Sequence, residues 1–392
     1  MVSGGGIMDR RTAFIALNLL SGIGPVRVNQ LLSVSADPED ILMASAAELA
    51  RVPGIGEKLA GDLADWRQGC DLESELRMVE RAGVEVLIRE DEDYPPLLQE
   101  IHDPPLVLYV HGSRKAVRET RGSVAIVGSR HTTIYGQTVA QSLARSAVSA
   151  GWPVVSGLAR GIDTVAHETV CQAEGVTLSV IGSGLAQLYP PENQPLARRI
   201  VENGGAIISE FPMQYRPDRR TFPMRNRIIA GMSAGTIVVE AGDNSGSLIT
   251  AACALQQGRP VFAVPGRIDS AQSRGCHALI RDGATLVESF DDVAAELSLL
   301  PGISRGTASA TNRLAHSAPP YINIKEIPLA DLERRVVDCL ERETEIAIDS
   351  LMALVEAPPG QILAAIITLE MRRLVRQLPG RRVTLAVKLM DD

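Results

Sequence analysis

At 392 residues, with 45% hydrophobic and 22% charged residues, the chain is globular and long enough for two to three domains around one substantial core. Its formal net charge of −8 excludes nucleic-acid binding through a global positive field, so any such site must be local. No run of about twenty apolar residues is present and the segment from Met1 to Arg11 lacks an apolar export signal, which predicts a cytoplasmic protein with no membrane role.

From Thr12 to about Trp66 the pattern is helical. It holds two similar hairpin signals, Leu20-Ser21-Gly22-Ile23-Gly24 and Val52-Pro53-Gly54-Ile55-Gly56, each preceding a helix. Paired glycines permit a tight turn that presents backbone N–H groups at a helix N-terminus, suited to phosphate without base reading. This resembles a tandem helix-hairpin-helix (SAM-like) domain over residues 8–70, which serves either DNA or packing and partner docking. Val84 to Ile88 and Leu106 to Val110 read as strands on the edge of a larger sheet. The acidic turn between them, Glu90 to Asp93, reads as a solvated face.

Seven apolar strands then alternate with helical stretches: Val124 to Val127, Pro153 to Val155, Leu178 to Ile181, Ala206 to Ile208, Thr236 to Val239, Val261 to Val264 and Thr285 to Val287. The pattern predicts an α/β fold, a doubly wound, mostly parallel Rossmann-like sheet, within a domain over 71–298. Ligands of such sheets sit beyond the carboxyl ends of the strands. There this chain places Gly128-Ser129-Arg130, then Ser156-Gly157 with Arg160, Gly161 and Asp163, then Gly182-Ser183-Gly184, and Asn244-Ser245-Gly246-Ser247 opening a helix with Thr250 in its first turn. Ser129 offers a hydroxyl and N–H groups, and Arg130 a planar five-donor fork, which is phosphate-reading chemistry. The loop lacks G-x-G-x-x-G and a following ribose-binding acid, so a nicotinamide cofactor is disfavoured and no cofactor is expected.

Between the fourth and fifth of these strands lies the most basic segment, with Arg216, Arg219, Arg220, Arg225 and Arg227 against Asp218 alone. It runs into Arg225-Asn226-Arg227 at the start of a helix, which predicts arginines on the same rim. One of them is expected to form a structural ion pair with Glu210, Glu240 or Asp243. Asp163 and His167, four apart on one helix face, read as a cap and a packed histidine rather than a catalytic pair. The five cysteines are scattered and never form C-x-x-C, so reduced thiols are expected in place of zinc or disulfides.

Residues 299–328 read as a linker rich in Pro, Gly, Ser, Thr and Ala. Beyond it, over 329–390, three helices and a hairpin resemble a winged helix. Its would-be recognition helix offers mainly Gln361 and Thr368 to base edges, with Arg372, Arg373 and Arg376 at the far end, a poor composition for sequence reading. Protein docking is an equal expectation there.

Taken together, Gly128-Ser129-Arg130 with Tyr135-Gly136, Ser156 to Asp163, Phe222 to Gly231 and Gly246 to Thr250 resemble, in order, the motifs of the DNA processing protein A family, also called Smf. The resemblance implies a recombination mediator of natural transformation. It would bind and protect single-stranded DNA, help load the RecA recombinase and dimerise through the central domain. Ala186 departs from the family pattern, which has an acidic residue there. On this view phosphates would be contacted by Ser129 and Arg130, by the Arg225 and Arg227 side chains, and by N–H groups at Gly157, Gly246 and Ser247, with Tyr135, Tyr189 and Phe222 as the stacking candidates. A rival reading is enzymatic: Gly235 to Glu240 resembles the G-T-x-x-E end of a nucleotide phosphoribohydrolase motif, with Glu240 as acid or base. The Pro-Gly-Gly that should precede it is replaced by Met232-Ser233-Ala234.

Overall fold

The computed structural model describes residues 8–35, 37–300, 321–322, 329–342, 346–355, 357–372, 374–378, 382–385 and 388–389. The chain divides into two compact units, Met1–Ala308 and Ser309–Asp392.

The first unit is built on a nine-stranded sheet. Its strands are β1 (Glu85–Ile88), β2 (Val107–Gly112), β3 (Val124–Val127), β4 (Val154–Ser156), β5 (Thr177–Val180), β6 (Ala206–Ser209), β7 (Gly235–Val238), β8 (Val261–Ala263) and β9 (Thr285–Leu286). They lie in the order β1-β2-β6-β5-β4-β3-β7-β8-β9. Strands β3 to β9 are parallel, and β2 joins antiparallel to β6 with Tyr109 opposite Ser209. The chain winds outward from β3 to β6, then returns to lay β7 on the other side of β3. That reversal opens a crevice at the carboxyl ends of β3 and β7.

Alternation along β3 explains why it reads as a continuous apolar run. Val124 and Ile126 pack on one face with Ala140, Leu143 and Ala147 of the helix Ile134–Ser149 and with Ile162 and Ala166 of the helix Ile162–Gln172. Ala125 and Val127 pack on the other with Ile228 and Ile229 of the helix Thr221–Met232 and Ala251 and Ala254 of the helix Gly246–Gln256. Both faces are covered, so both must be apolar.

The N-terminal helices share a core of Phe14, Leu17, Val28, Leu31, Leu63 and Trp66, and this core continues into Val86, Val107 and Tyr109 of the edge strands. The helical module is thus packed onto the β1–β2 edge. The acidic turn before Tyr94 is solvent-exposed at Glu90 and Glu92, as expected, and its carboxylates are also ion-paired. Arg10 reaches Glu90 at 3.1 Å, Arg11 reaches Asp91 at 2.7 Å, Arg114 reaches Asp93 at 2.5 Å and Arg118 reaches Glu92 at 3.2 Å. Asp91 also accepts the Ile88 N–H at 2.8 Å, closing its own turn.

The second unit has helices Asp331–Arg342, Ile348–Val355 and Pro359–Met371, with a sheet in which Arg382–Leu385 lies between Ile346–Ala347 and Val375–Leu378. Val336, Val337, Leu340, Leu351, Ile362 and Ile366 form its core. This is a winged helix. Of the expected linker, 301–320 and 323–328 lie outside the described residues, and Tyr321–Ile322 pairs in parallel with Lys388–Leu389.

Candidate nucleic-acid interface

A cleft of about 680 Å³ opens at the crevice between the ends of β3 and β7. Its wall on the β3 side is Gly128-Ser129-Arg130, its opposite wall is Ser245-Gly246-Ser247 with Thr250, and its floor is Arg225 and Asn226 from the helix Thr221–Met232. Eight of the residues singled out in the sequence meet here: Gly128, Ser129, Arg130, Arg225, Asn226, Gly246, Ser247 and Thr250. Gly157 and Arg160 line a small crevice alongside, which shares Arg130, Tyr189, Phe222 and Arg225 with the cleft.

Arg130 is the most available donor. Its guanidinium is exposed and lies over the ring of Phe222, 5.2 Å from the centroid, and Phe222 in turn leans on Tyr189 at 5.8 Å. Stacking holds the guanidinium plane while leaving its N–H edges free, the arrangement in which an arginine meets phosphate and base together. Arg219 also lines the cleft and is exposed, and neither it nor its neighbours Arg216 and Arg220 has a side-chain partner among the described residues.

Arg225 has a different role. It is 4% exposed, and its Nη1 donates to the carbonyl of Gly157 at 2.6 Å and to that of Val180, while Nε donates to Asn226 Oδ1 at 3.2 Å. Burial, assisted by nearby Arg130, pushes its pKa down to about 10, which still leaves a fixed positive charge at neutral pH. Asp163 beneath it accepts the Gly157 N–H at 3.1 Å and the Ala159 N–H at 3.4 Å, and burial raises its carboxyl pKa against the pull of Arg225. The acid therefore ties down the loop after β4 and is not the helix cap expected from the sequence: the N-cap of the helix Ile162–Gln172 is Gly161, and Asp163 lies inside the first turn. His167, one turn on, bonds Thr177 Oγ1 at 2.7 Å inside the core, and burial drives its pKa down to about 3.

Several assigned contacts are already used internally. The Ser129 N–H donates to the Glu240 carbonyl at 2.7 Å, and its hydroxyl bonds the His131 backbone and Gln272. The Gly157 N–H serves Asp163, and the Ser247 N–H reaches the cap oxygen of Ser245 at 3.4 Å, so neither is aimed at an external phosphate. Arg227 does not face the rim. It pairs with Asp103 at 3.2 Å and with buried Glu210, so it is the structural ion pair anticipated for one arginine. Arg160 pairs with Glu192.

Ser156, Gly161, Gly182 and Gly184 stand behind the cleft. The Ser156 hydroxyl bonds the Ile126 carbonyl at 2.7 Å. Gly161 has φ of 81°, and a Cβ there would lie 2.2 Å from the Ser129 carbonyl. A Cβ on Gly182 would meet the Phe222 ring at 2.9 Å, and one on Gly184 would lie 2.0 Å from the Pro212 carbonyl. These residues allow close approach of loops and make no direct contribution to the cleft wall.

Glu240 is also withdrawn. Its carboxylate accepts from Thr132 Oγ1 at 2.8 Å, from the Thr133 N–H at 2.9 Å and from the Thr133 hydroxyl, and it does not line the cleft. Its work is to hold the loop after β3. Among the described residues no group of three or more His, Cys, Asp or Glu side chains could hold a metal, and no helix is long and apolar enough to cross a membrane. Asn244 and Ser245, which the sequence places at this strand end, also stand on the cleft wall, whereas sequence reasoning missed Gln272 there. Ser245 carried a signal as the cap before Gly246, whereas Gln272 arrives from the loop after β8 with none.

Comparison with known proteins places the chain in a family. Residues 85–298 match the model of DNA recombination-mediator protein A, residues 14–65 that of a SAM-like helix-hairpin-helix tandem, and residues 325–381 that of the DprA winged helix domain. Protein Smf of Synechocystis is 33% identical over 94% of this chain and 97% of its own. The X-ray structure of DNA processing protein A from Streptococcus pneumoniae superposes with a TM-score of 0.62 at 34% identity, over 72% of this chain and 97% of that one. The same protein from Helicobacter pylori, whose structure is described for its unique single-stranded DNA binding mode, gives 0.50 at 29% identity over 55% and 96%. The chain belongs to the DNA recombination-mediator protein A family.

Proposed function

We infer that the chain binds single-stranded DNA along the cleft and acts on it as a recombination mediator rather than as an enzyme. The observation that carries this is the exposed Arg130 guanidinium stacked on Phe222 at the mouth of a cleft whose floor holds the buried cation Arg225. Phosphates meet Arg130 and Arg219, and an unstacked base meets the Phe222–Tyr189 pair, which offers a π-face without a base-specific pattern. The H. pylori relative's described binding of single strands supports the reading, as does the engagement of Glu240 in its own loop. Protection of incoming DNA in the cytoplasm during natural transformation, loading of RecA and dimerisation through the central domain, all implied by the family, belong to the same proposal.

The test is fluorescence anisotropy of a labelled oligothymidine across a salt series, beside a duplex of equal length. Three cleft arginines predict a log–log salt slope of at least about −2 for the single strand. Arg130→Ala should weaken binding about tenfold and flatten the slope by about 0.7. Binding that ignores Arg130→Ala would move the DNA to another surface.

A further inference from the structure

The helical module touches the arginine-bearing segment at its root. The residues between β6 and the helix Thr221–Met232 carry Arg216, Arg219 and Arg220, and they begin with Glu210 to Tyr215. Three side chains of the helical module and of the helix Leu72–Arg81 that packs into its core reach that beginning. Asn18 Nδ2 donates to the Glu210 carbonyl at 2.9 Å, Glu75 Oε1 accepts the Met213 N–H at 2.8 Å, and the sulfur of Met78 receives Gln214 Nε2 at 3.5 Å. From the opposite side the Pro212 and Met213 carbonyls pack on Gly184, and the Ala186 N–H donates to Met213 O at 3.0 Å. Glu75 is only 3% exposed although it is a carboxylate at the end of a long side chain. A charge placed there costs desolvation, and its carboxylate accepts a backbone N–H of the arginine segment, with the Tyr109 hydroxyl beside it.

The module is ill suited to hold DNA itself. Residues 8–70 carry eight acidic side chains against six basic ones. Arg27, beside the first hairpin, folds back onto the carbonyl of Gly22 in that hairpin.

We propose that Glu75, assisted by Asn18, is a positioning residue for DNA binding: the helical module with the helix Leu72–Arg81 contributes to single-strand affinity by clamping the backbone at Glu210 and Met213, which sets where Arg216, Arg219 and Arg220 emerge. This rests on the cleft being the DNA site. Without the clamp the three arginines occupy more conformations and each phosphate contact must then restrict them, so affinity falls while the cleft walls stay intact.

The experiment uses the full chain with Glu75→Ala, Glu75→Gln, Asn18→Ala and a control pair Arg51→Ala plus Lys58→Ala on the second hairpin. Oligothymidine affinity and the rate of tryptic cleavage after Arg216, Arg219 and Arg220 are measured for each. Glu75→Ala is expected to bind about tenfold more weakly, with a salt slope flattened by about 0.7 to 1.4, the loss of one or two phosphate contacts. It should also be cut faster at these arginines. Glu75→Gln keeps an acceptor for the Met213 N–H and should match the wild type in both readouts. If Glu75→Ala does not fold, Asn18→Ala, which leaves no buried charge unpaired, should show the same changes more weakly. Unchanged affinity in both Ala variants, or an equal loss in the hairpin control, overturns the proposal. A wild-type chain that binds no single strand overturns the DNA reading instead. The clamp is then judged by proteolysis alone, and cleavage no faster than in the wild type overturns it.

Discussion

Arg130, Arg225 and Arg227 come from two motifs of similar appearance, and their surroundings give them three different roles. Arg130 has a ring beneath it and solvent above, Arg225 lies under the cleft with backbone carbonyls for partners, and Arg227 faces Glu210 and Asp103. These differences separate binding from stability. Arg227→Ala leaves Glu210, which is 6% exposed and whose pKa burial already raises, without its main counter-charge. Breaking such a buried pair costs about 3–5 kcal/mol. Arg130→Ala removes an exposed side chain and should change stability by less than about 0.5 kcal/mol. Urea denaturation of the two variants beside the wild type checks this, and equal midpoints for both would mean that the Arg227 pair contributes nothing net.

At the scale of elements, the helix Ile162–Gln172 joins the loops behind the cleft to the sheet. Asp163 in its first turn binds the loop after β4. One turn later His167 bonds Thr177, whose hydroxyl passes the connection to the Val154 carbonyl at 2.8 Å. A histidine held near a pKa of about 3 stays neutral in the folded state, while the unfolded chain protonates it near its ordinary value of 6.5. Its depressed folded pKa means that stability is fully present above pH 6.5 and is lost as the pH falls below it. Between pH 6.5 and 5 the loss should approach about 1.4 kcal/mol per pH unit from this group. Comparing the slope of unfolding free energy in that window with the slope for His167→Leu isolates the contribution, and parallel slopes would show that the site is hydrated. The same element displays what was readable beforehand. Gly161 and Asp163 stood out by residue type at a strand end, but the destination of the Gly157 N–H depended on how the loop folds back on Asp163.

For the whole molecule, a net charge of −8 requires that the cationic surface be concentrated, and the structure concentrates it where β3 and β7 diverge. The winged-helix unit gives base reading by its third helix little to work with. Its helix Pro359–Met371 exposes Leu363 and Ile367 beside Gln361 and Thr368, an apolar surface with few groups for base edges. Removing residues 309–392 should therefore leave oligothymidine affinity and salt slope unchanged in the anisotropy assay, and a fall in either would place phosphate contacts on that unit.

The amino-acid sequence by itself determined the order of strands and helices and the doubly wound sheet, because buried β-branched runs and glycine-bearing strand ends are local patterns with few structural solutions, while the winged helix and the family were legible through the resemblance of its motifs to known ones. It also determined that phosphate chemistry, if present, would cluster at strand ends. Tertiary structure alone decided which groups remain free to act there. Whether an arginine meets solvent or a buried carboxylate, and whether a loop N–H is open or already bonded, depends on residues that arrive from distant elements. Glu210 reaches Arg227 from the end of β6, the Glu240 carbonyl reaches Ser129 from the end of β7, and Glu75 reaches Met213 from the helix Leu72–Arg81. No spacing along the chain encodes such meetings, since each depends on the packing of the whole sheet.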